Sequence, residues 1–155
     1  MRATLTWSTP FGGILCALVL LAAAGSSAFA GDLKLQAFLL WGTDDAKPPE
    51  GKDYKAVEQE IKQKLKDLPL KWTNWFEVNR KEFVSPEGTS KKVTVSEKCQ
   101  LMVTRTGPTE IEVSLIGKGK EVVKRRQALP IGETLVLGGN APNSTAWLVV
   151  LKRLQ

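Results

Sequence analysis

The sequence contains no histidine and only two cysteines, Cys16 and Cys99. Histidine supplies the usual general base near neutral pH, the partner of serine and cysteine nucleophiles, and most zinc ligands. Its absence excludes the Ser-His and Cys-His catalytic pairs and the common zinc sites. A neighbouring pair of acids, Asp44 and Asp45, lacks the spacing of a calcium loop. We therefore predict no cofactor, no metal site and no enzymatic activity.

Catalysis by carboxylates alone is the enzymatic alternative that this composition leaves open. Glycosidases need only two carboxyl groups roughly 5–9 Å apart. Glu77 with Glu112, or Glu110 with Glu112, could supply such a pair, because residues i and i+2 of a strand face the same way. Surface acids on strands show the same pattern without any function.

Charge is almost missing from the N-terminal segment, where Arg2 is the only charged residue before Asp32. Residues 14–24 (ILCALVLLAAA) form an apolar run, and the small-x-small pattern AFA follows at 28–30. A spanning helix needs about 20 apolar residues, so the shorter run predicts a cleaved signal peptide over 1–30. Residues 31–155 are then expected to form a single exported domain, periplasmic or extracellular, without a transmembrane segment.

The remaining chain is basic and has a single thiol. Removing residues 1–30 takes away Arg2 and no acid, which leaves 21 of the 22 basic residues against 16 acidic ones, a net charge of +5. Cys99 is the only cysteine left, so no intramolecular disulfide can form. Because Cys99 borders the strand-like segment QLMVT, we expect a buried thiol, with an intermolecular disulfide as the alternative.

The first half of this domain is predicted to form a strand, a loop and a helix. Residues 33–41 (LKLQAFLLW) predict a strand that becomes buried on both faces towards its end. Two prolines and two glycines in 42–52 predict an irregular loop. Residues 53–66 predict an amphipathic helix that begins at Asp53 as its N-cap and ends before Pro69. Its apolar stripe is expected to consist of Tyr54, Val57, Ile61, Leu65 and Leu68.

Residues 71–83 (KWTNWFEVNRKEF) hold four of the eight aromatic residues that follow position 30. Their period of two predicts a strand with two different faces. We expect Trp72, Phe76 and Val78 to pack in the core with the stripe of the helix. Trp75, Glu77 and Asn79 should lie on the opposite face.

Strand-like segments bounded by turn signals follow about every ten residues, and the clearest spans 111–115. A hairpin turn is predicted at 117–120, because glycine adopts the positive φ of such turns. This pattern predicts an α+β fold that is predominantly antiparallel β, a meander, sandwich or partly open barrel, with one amphipathic helix near the mature N-terminus.

Two short patterns resemble known proteins. The segments LPLKW at 68–72, QALPIGETLVLGG at 127–139 and AWLVVL at 146–151 resemble small bacterial exported proteins that join an amphipathic helix to a β-meander. Separately, GETLVLGG at 132–139 is similar to a strand segment of the secretin family of outer-membrane secretion channels. That resemblance implies the Gram-negative envelope and a secretion or pilus assembly as the context. It transfers no functional residue.

We expect a non-enzymatic domain that binds a protein or another envelope component, and the oligomeric state is left open. Lys118, Lys120 and the basic run at 124–126 favour an acidic polymer or protein face as partner, and no nucleic acid is expected outside the cell. The alternative is a carbohydrate-binding or carbohydrate-active domain that uses Trp75 and nearby carboxylates. The predicted binding surface comprises Trp75, Glu77, Asn79, Lys124, Arg125 and Arg126.

Overall fold

A computed structural model describes residues 31–141 and 145–155, and these residues form nine β-strands and one helix. In chain order the elements are β1 Leu33–Thr43, β2 Lys55–Ala56, α1 Gln59–Lys66, β3 Asn74–Ser85, β4 Ser90–Ser96, β5 Cys99–Arg105, β6 Glu110–Gly117, β7 Lys120–Ala128, β8 Thr134–Asn140 and β9 Ala146–Arg153. The predicted signal peptide at 1–30 lies outside the described residues.

The first sheet has five strands in the order β2-β3-β1-β9-β8, and every neighbouring pair is antiparallel. β1 lies at its centre. Every residue from Ala37 to Thr43 is buried, whereas Lys34 and Gln36 are partly exposed. The prediction of a strand that becomes buried on both faces is confirmed, and the strand extends two residues past the predicted end at Trp41.

The second sheet is a four-stranded antiparallel meander in the order β4-β5-β6-β7. Its β6–β7 hairpin pairs Gly117 with Lys120, so only two residues form the turn. Both residues have positive φ, 50° at Lys118 and 79° at Gly119. This is the geometry that the twist of a hairpin favours, and glycine adopts it without a steric penalty. The predicted turn at 117–120 is confirmed.

The two sheets pack face to face as an open β-sandwich and do not close into a barrel. The core between them is built from the inward-facing residues of both sheets, because side chains alternate along each strand. The first sheet contributes Leu33, Leu35, Ala37, Leu39, Phe83, Leu135, Leu137, Val149 and Leu151, and the second sheet contributes Val93, Val95, Leu101, Val103, Ile111, Val113 and Leu115.

A second apolar cluster covers the other face of the first sheet. Ile61 and Leu65 of α1 are buried against it. The strand residues of this cluster are Phe38, Leu40, Leu148 and Val150, and Val57 before the helix completes it. The described residues therefore form three layers, helix on sheet on sheet. No helix in this part of the chain has the length and apolar character needed to cross a membrane.

The predicted start of the helix at residue 53 is wrong. Lys55 and Ala56 instead form the short edge strand β2, which pairs with Glu77 and Phe76 of β3. The helix begins at Gln59, and no side chain caps its N-terminus. The local 3.6-residue period does extend back to Tyr54, but pairing with the sheet overrides it there.

A β-bulge in β3 separates Asn79 from the predicted face of Trp75 and Glu77. Leu39 pairs with Asn79 but Leu40 pairs with Glu77, so Val78 is an extra residue with no partner of its own. An extra residue reverses the direction of all side chains beyond it. Glu77 consequently lies on the helix side of the first sheet, whereas Asn79 lies on the other side and donates a hydrogen bond to the carbonyl oxygen of Val95, 2.8 Å away.

The aromatic residues of this stretch lie on both faces of the first sheet. Trp75 packs against the cluster beneath the helix, whereas Val78 packs against the core between the sheets. Phe76 contacts Trp41, with ring centroids 6.1 Å apart. Phe76 and Val78 lie on one face of β3, as predicted, but this face is turned towards the second sheet. The prediction that they pack with the stripe of the helix is therefore wrong.

We expect Ile61→Ala to lower the free energy of unfolding by about 2–4 kcal/mol, because the fully buried side chain would leave a cavity beneath the helix. Urea denaturation measures the change. The neighbouring exposed Lys62→Ala is the matched control and should stay within about 0.5 kcal/mol. An equal effect of the two substitutions would contradict the packing of α1 on the first sheet.

Candidate functional site

The two ends of the sandwich differ. At one end Arg105 is 3% exposed and fills the space between the sheets. Its guanidinium donates hydrogen bonds to the carbonyl oxygens of Gly31 at 2.9 Å, Gly107 at 3.0 Å and Pro108 at 3.4 Å. These carbonyl oxygens and the Glu87 carboxylate, 4.0 Å away, satisfy the buried guanidinium, and the Arg105 side chain closes this end.

At the other end the sheets separate and leave a cleft of about 880 Å³, which we call the inter-sheet cleft. The cleft lies at the end of the sandwich where β1 extends beyond the β4–β5 and β6–β7 turns. Its walls are mainly apolar and come from both sheets. The side chains that line it include Leu39, Tyr54, Val78, Cys99, Leu115, Val122, Trp147 and Val149.

Aromatic residues extend the floor of the cleft along the first sheet. Trp41 and Trp147 are cross-strand neighbours on the face that also carries Leu39. Trp41 is buried beside Tyr54, with ring centroids 6.0 Å apart. Trp147 is 40% exposed and lines the cleft. Its ring presents a flat apolar surface to any molecule that enters.

A second β-bulge places an apolar side chain at the rim. Leu115 pairs with Val123 but Ile116 pairs with Glu121, so Val122 is the extra residue of β7. Val122 is 57% exposed, and its Cγ2 atom would lie only 3.0 Å from a Cβ atom at Gly117. Glycine at this position therefore lets Val122 lie across the hairpin and line the cleft.

Lysine side chains surround the mouth. Lys52 comes from the loop after β1, Lys98 from the β4–β5 turn and Lys118 from the β6–β7 turn. Within the described part of the chain, none of the three has an ion pair. Glu97 is the only acid among the lining residues. The rim therefore has a net positive charge beside an apolar interior.

Cys99 lies in the wall of this cleft and is half-buried, so the expected burial of the thiol is only partial. Desolvation by the surrounding side chains raises the pKa of the Cys99 thiol. The neutral thiol is therefore favoured, and it acts as a small apolar part of the wall.

The predicted basic residues of β7 do not form one patch. On the outer face of the second sheet Lys124 pairs with Glu112 at 2.8 Å, and Arg126 pairs with Glu110. Arg125 pairs across the strands with Val113 and so lies on the opposite face of β7. Two of the three basic side chains are therefore already in ion pairs with glutamates of the neighbouring strand. Charged side chains are common on exposed edge strands, and such surface ion pairs are weak.

The other predicted site residues lie elsewhere. Trp75 and Glu77 face the helix layer, whereas Asn79 contacts the second sheet. The Trp75 ring lies over Gly42, where an added Cβ atom would come within 2.5 Å of it, and it packs edge-on against Trp72 at 6.0 Å. The six predicted residues are therefore divided among several surfaces and do not form one site.

The carboxylate pair Glu77 and Glu112 is also separated, because these residues lie on the outer faces of different sheets. Glu77 is 7% exposed and accepts two hydrogen bonds from Arg80, at 2.9 and 2.7 Å. Glu58 before the helix also pairs with Arg80 at 2.6 Å. Hydrogen bonding to Glu77 and Glu58 raises the pKa of the Arg80 guanidinium above its usual value. Arg80 thus joins Glu77 of β3 to Glu58, the residue before the helix.

Neither a cluster of possible metal ligands nor a similar known protein indicates another kind of site. Among residues 31–141 and 145–155, no three carboxylate or thiol side chains lie close enough together to hold a metal ion. The chain matches no protein-family model, no curated protein and no solved structure. The cleft and its rim must therefore be interpreted from their own residues.

Sequence reasoning missed the cleft because its residues are scattered along the chain. Lys118 is the only lining residue of the cleft that belongs to the predicted basic cluster. Val122 and Trp147 gave no signal, since an apolar residue on a strand predicts burial as readily as exposure. Only the separation of the two sheets shows that these side chains remain accessible.

We expect Cys99 to react with 5,5′-dithiobis(2-nitrobenzoate) more slowly than free cysteine at pH 8. The thiolate is the reactive form, and burial raises the pKa of this thiol. Its rate should keep rising with pH after the rate of an ordinary thiol has levelled off. In 8 M urea, roughly the concentration that unfolds small domains, the difference should disappear. Reaction at the free-thiol rate in the folded protein would contradict the burial of Cys99.

We expect Arg80→Gln to lower the free energy of unfolding by about 1–3 kcal/mol, because Glu77 would be left buried without its cation. The effect stays below that of a fully buried pair, since the Arg80 side chain is 35% exposed. Urea denaturation of a double-mutant cycle with Glu77→Gln measures the coupling. The double variant should recover part of the loss, and the exposed Lys81→Gln should have little effect. Additive losses in the cycle would rule out the pair.

Proposed function

We propose that this protein is an exported, non-enzymatic binding domain that holds an apolar group of an envelope component in the inter-sheet cleft. The open apolar cleft carries this proposal. The apolar segment at 14–24 and the small-x-small pattern at 28–30 support export to the periplasm or the cell exterior. The absence of histidine supports binding over catalysis.

The dimensions of the cleft suit a small ligand or a single side chain. Sites for small molecules commonly enclose about 300–1,000 Å³ and are lined mainly by apolar side chains with a few polar groups. The inter-sheet cleft has about 880 Å³ and matches that description. Each 100 Å² of apolar surface that a ligand removes from water contributes roughly 2.5 kcal/mol before the costs of association.

The exposed apolar residues at the cleft favour this location over the basic strand. Val122 and Trp147 expose apolar surface at the cleft, which a bound ligand would remove from water. The β7 strand offers a weaker binding surface for an anion, because Lys124 and Arg126 are already paired with glutamates. An acidic partner there would have to compete with those ion pairs.

We expect the neutral fluorophore N-phenyl-1-naphthylamine to bind the protein, purified after expression from its full coding sequence, with an increase in emission. Val122→Asp should weaken this binding about tenfold, the ratio that 1.4 kcal/mol produces, because it replaces an apolar side chain that lines the cleft with a hydrated carboxylate. Fluorescence titration measures the two dissociation constants.

Ile131→Asp is the matched control. Ile131 is an equally exposed apolar residue, 67% accessible, but it lies in the turn before β8 and does not line the cleft. This variant should bind the fluorophore like the unaltered protein. Absence of binding to the unaltered protein, or equal weakening by both substitutions, would overturn the proposed function.

A further inference from the structure

We infer that the ligand of the inter-sheet cleft is a single-chain anionic amphiphile, whose alkyl chain enters the cleft while Lys98 and Lys118 bind its carboxylate or phosphate group. This inference rests on the proposed function and names the chemical class of its ligand. It depends on three features of the cleft mouth: the fixed positions of two turns, the unpaired cations on them and the apolar wall directly below.

The two turns that carry the lysines are fixed to each other. The backbone N–H of Lys118 donates a hydrogen bond to the carbonyl oxygen of Lys98, 2.9 Å away. Lys118 also has a positive φ of 50°, which the two-residue hairpin imposes. Both side chains therefore start from neighbouring, well-defined backbone positions, so two ammonium groups can reach a single anion.

The charge at the mouth selects the sign of the head group. Three lysines and one glutamate are among the residues that line the cleft. In the described part of the chain, Lys98 and Lys118 form no ion pair that an incoming anion would have to displace. Lysine binds carboxylate and phosphate as a point charge, so the mouth accepts either group.

The apolar wall begins immediately beneath these cations. Cys99 follows Lys98 directly, and Val122 lies across Gly117, which precedes Lys118. A molecule with its anionic group at the turns thus has its next atoms against Val122, Cys99 and Leu115. Only a ligand that changes from charged to apolar within a few bonds satisfies both regions. A single alkyl chain with a terminal anion has this arrangement.

The test uses displacement of N-phenyl-1-naphthylamine from the full-length gene product by two ligands of equal chain length, both kept below their aggregation limits. Dodecanoate should displace the fluorophore at a concentration about three- to tenfold lower than dodecan-1-ol, the range expected from two surface ion pairs. The double variant Lys98→Gln/Lys118→Gln should lose this preference and still bind dodecan-1-ol. The equally charged control Lys91→Gln/Lys92→Gln, on β4, should retain it.

The outcomes separate the ligand class from the proposed function. Equal displacement by the two ligands, or an unchanged preference in Lys98→Gln/Lys118→Gln, overturns the anionic class while the cleft remains a binding site. Failure of both ligands together with a fluorophore signal insensitive to Val122→Asp overturns the proposed function itself.

A separate experiment tests whether Lys98 and Lys118 bind the anionic head groups of a membrane surface. Vesicles of phosphatidylglycerol are sedimented with the protein in the presence and absence of dodecanoate. Binding to vesicles that needs the two lysines, without displacement of the fluorophore by monomeric dodecanoate, would assign them to a lipid surface and overturn the inference. Displacement by the monomer, with little protein on the vesicles, supports it.

Discussion

The burial of β1 on both faces is the constraint on which the rest of the structure depends. Leu35 and Leu39 belong to the core between the sheets, while Phe38 and Leu40 belong to the cluster beneath the helix. A strand of this kind is stable only when both neighbouring layers are present, because either face alone would expose large apolar side chains to water. The helix and the second sheet are therefore joined energetically through a strand that lies between them.

The same sandwich has one closed end and one open end, and this difference creates the candidate site. Arg105 closes one end by donating to backbone carbonyl oxygens. At the other end the first sheet runs beyond the turns of the second, and Trp147 is 40% exposed there. The bulge at Val122 adds an apolar side chain at the rim. β-Bulges near a binding site commonly redirect a side chain in this way.

The predictions from sequence were most accurate where a strong local pattern coincided with the tertiary environment. The strand at 33–41, the hairpin turn at 117–120 and the antiparallel β character of the fold followed from local patterns. The start of the helix and the face of Asn79 did not follow from local patterns. Pairing of Lys55 with β3 moved the start of the helix, and the single extra residue Val78 changed the face of Asn79. Neither effect has a signature in the period of the side chains.

The sequence by itself determined the β-rich character of the domain, because apolar and polar residues alternate along its strands. The tertiary structure alone decided where a ligand can bind. Leu39, Cys99, Val122 and Trp147 come from four different strands, and their common exposure results from the separation of two sheets. Local patterns record the face on which a side chain lies, but the distance between packed layers depends on contacts between residues far apart in the chain.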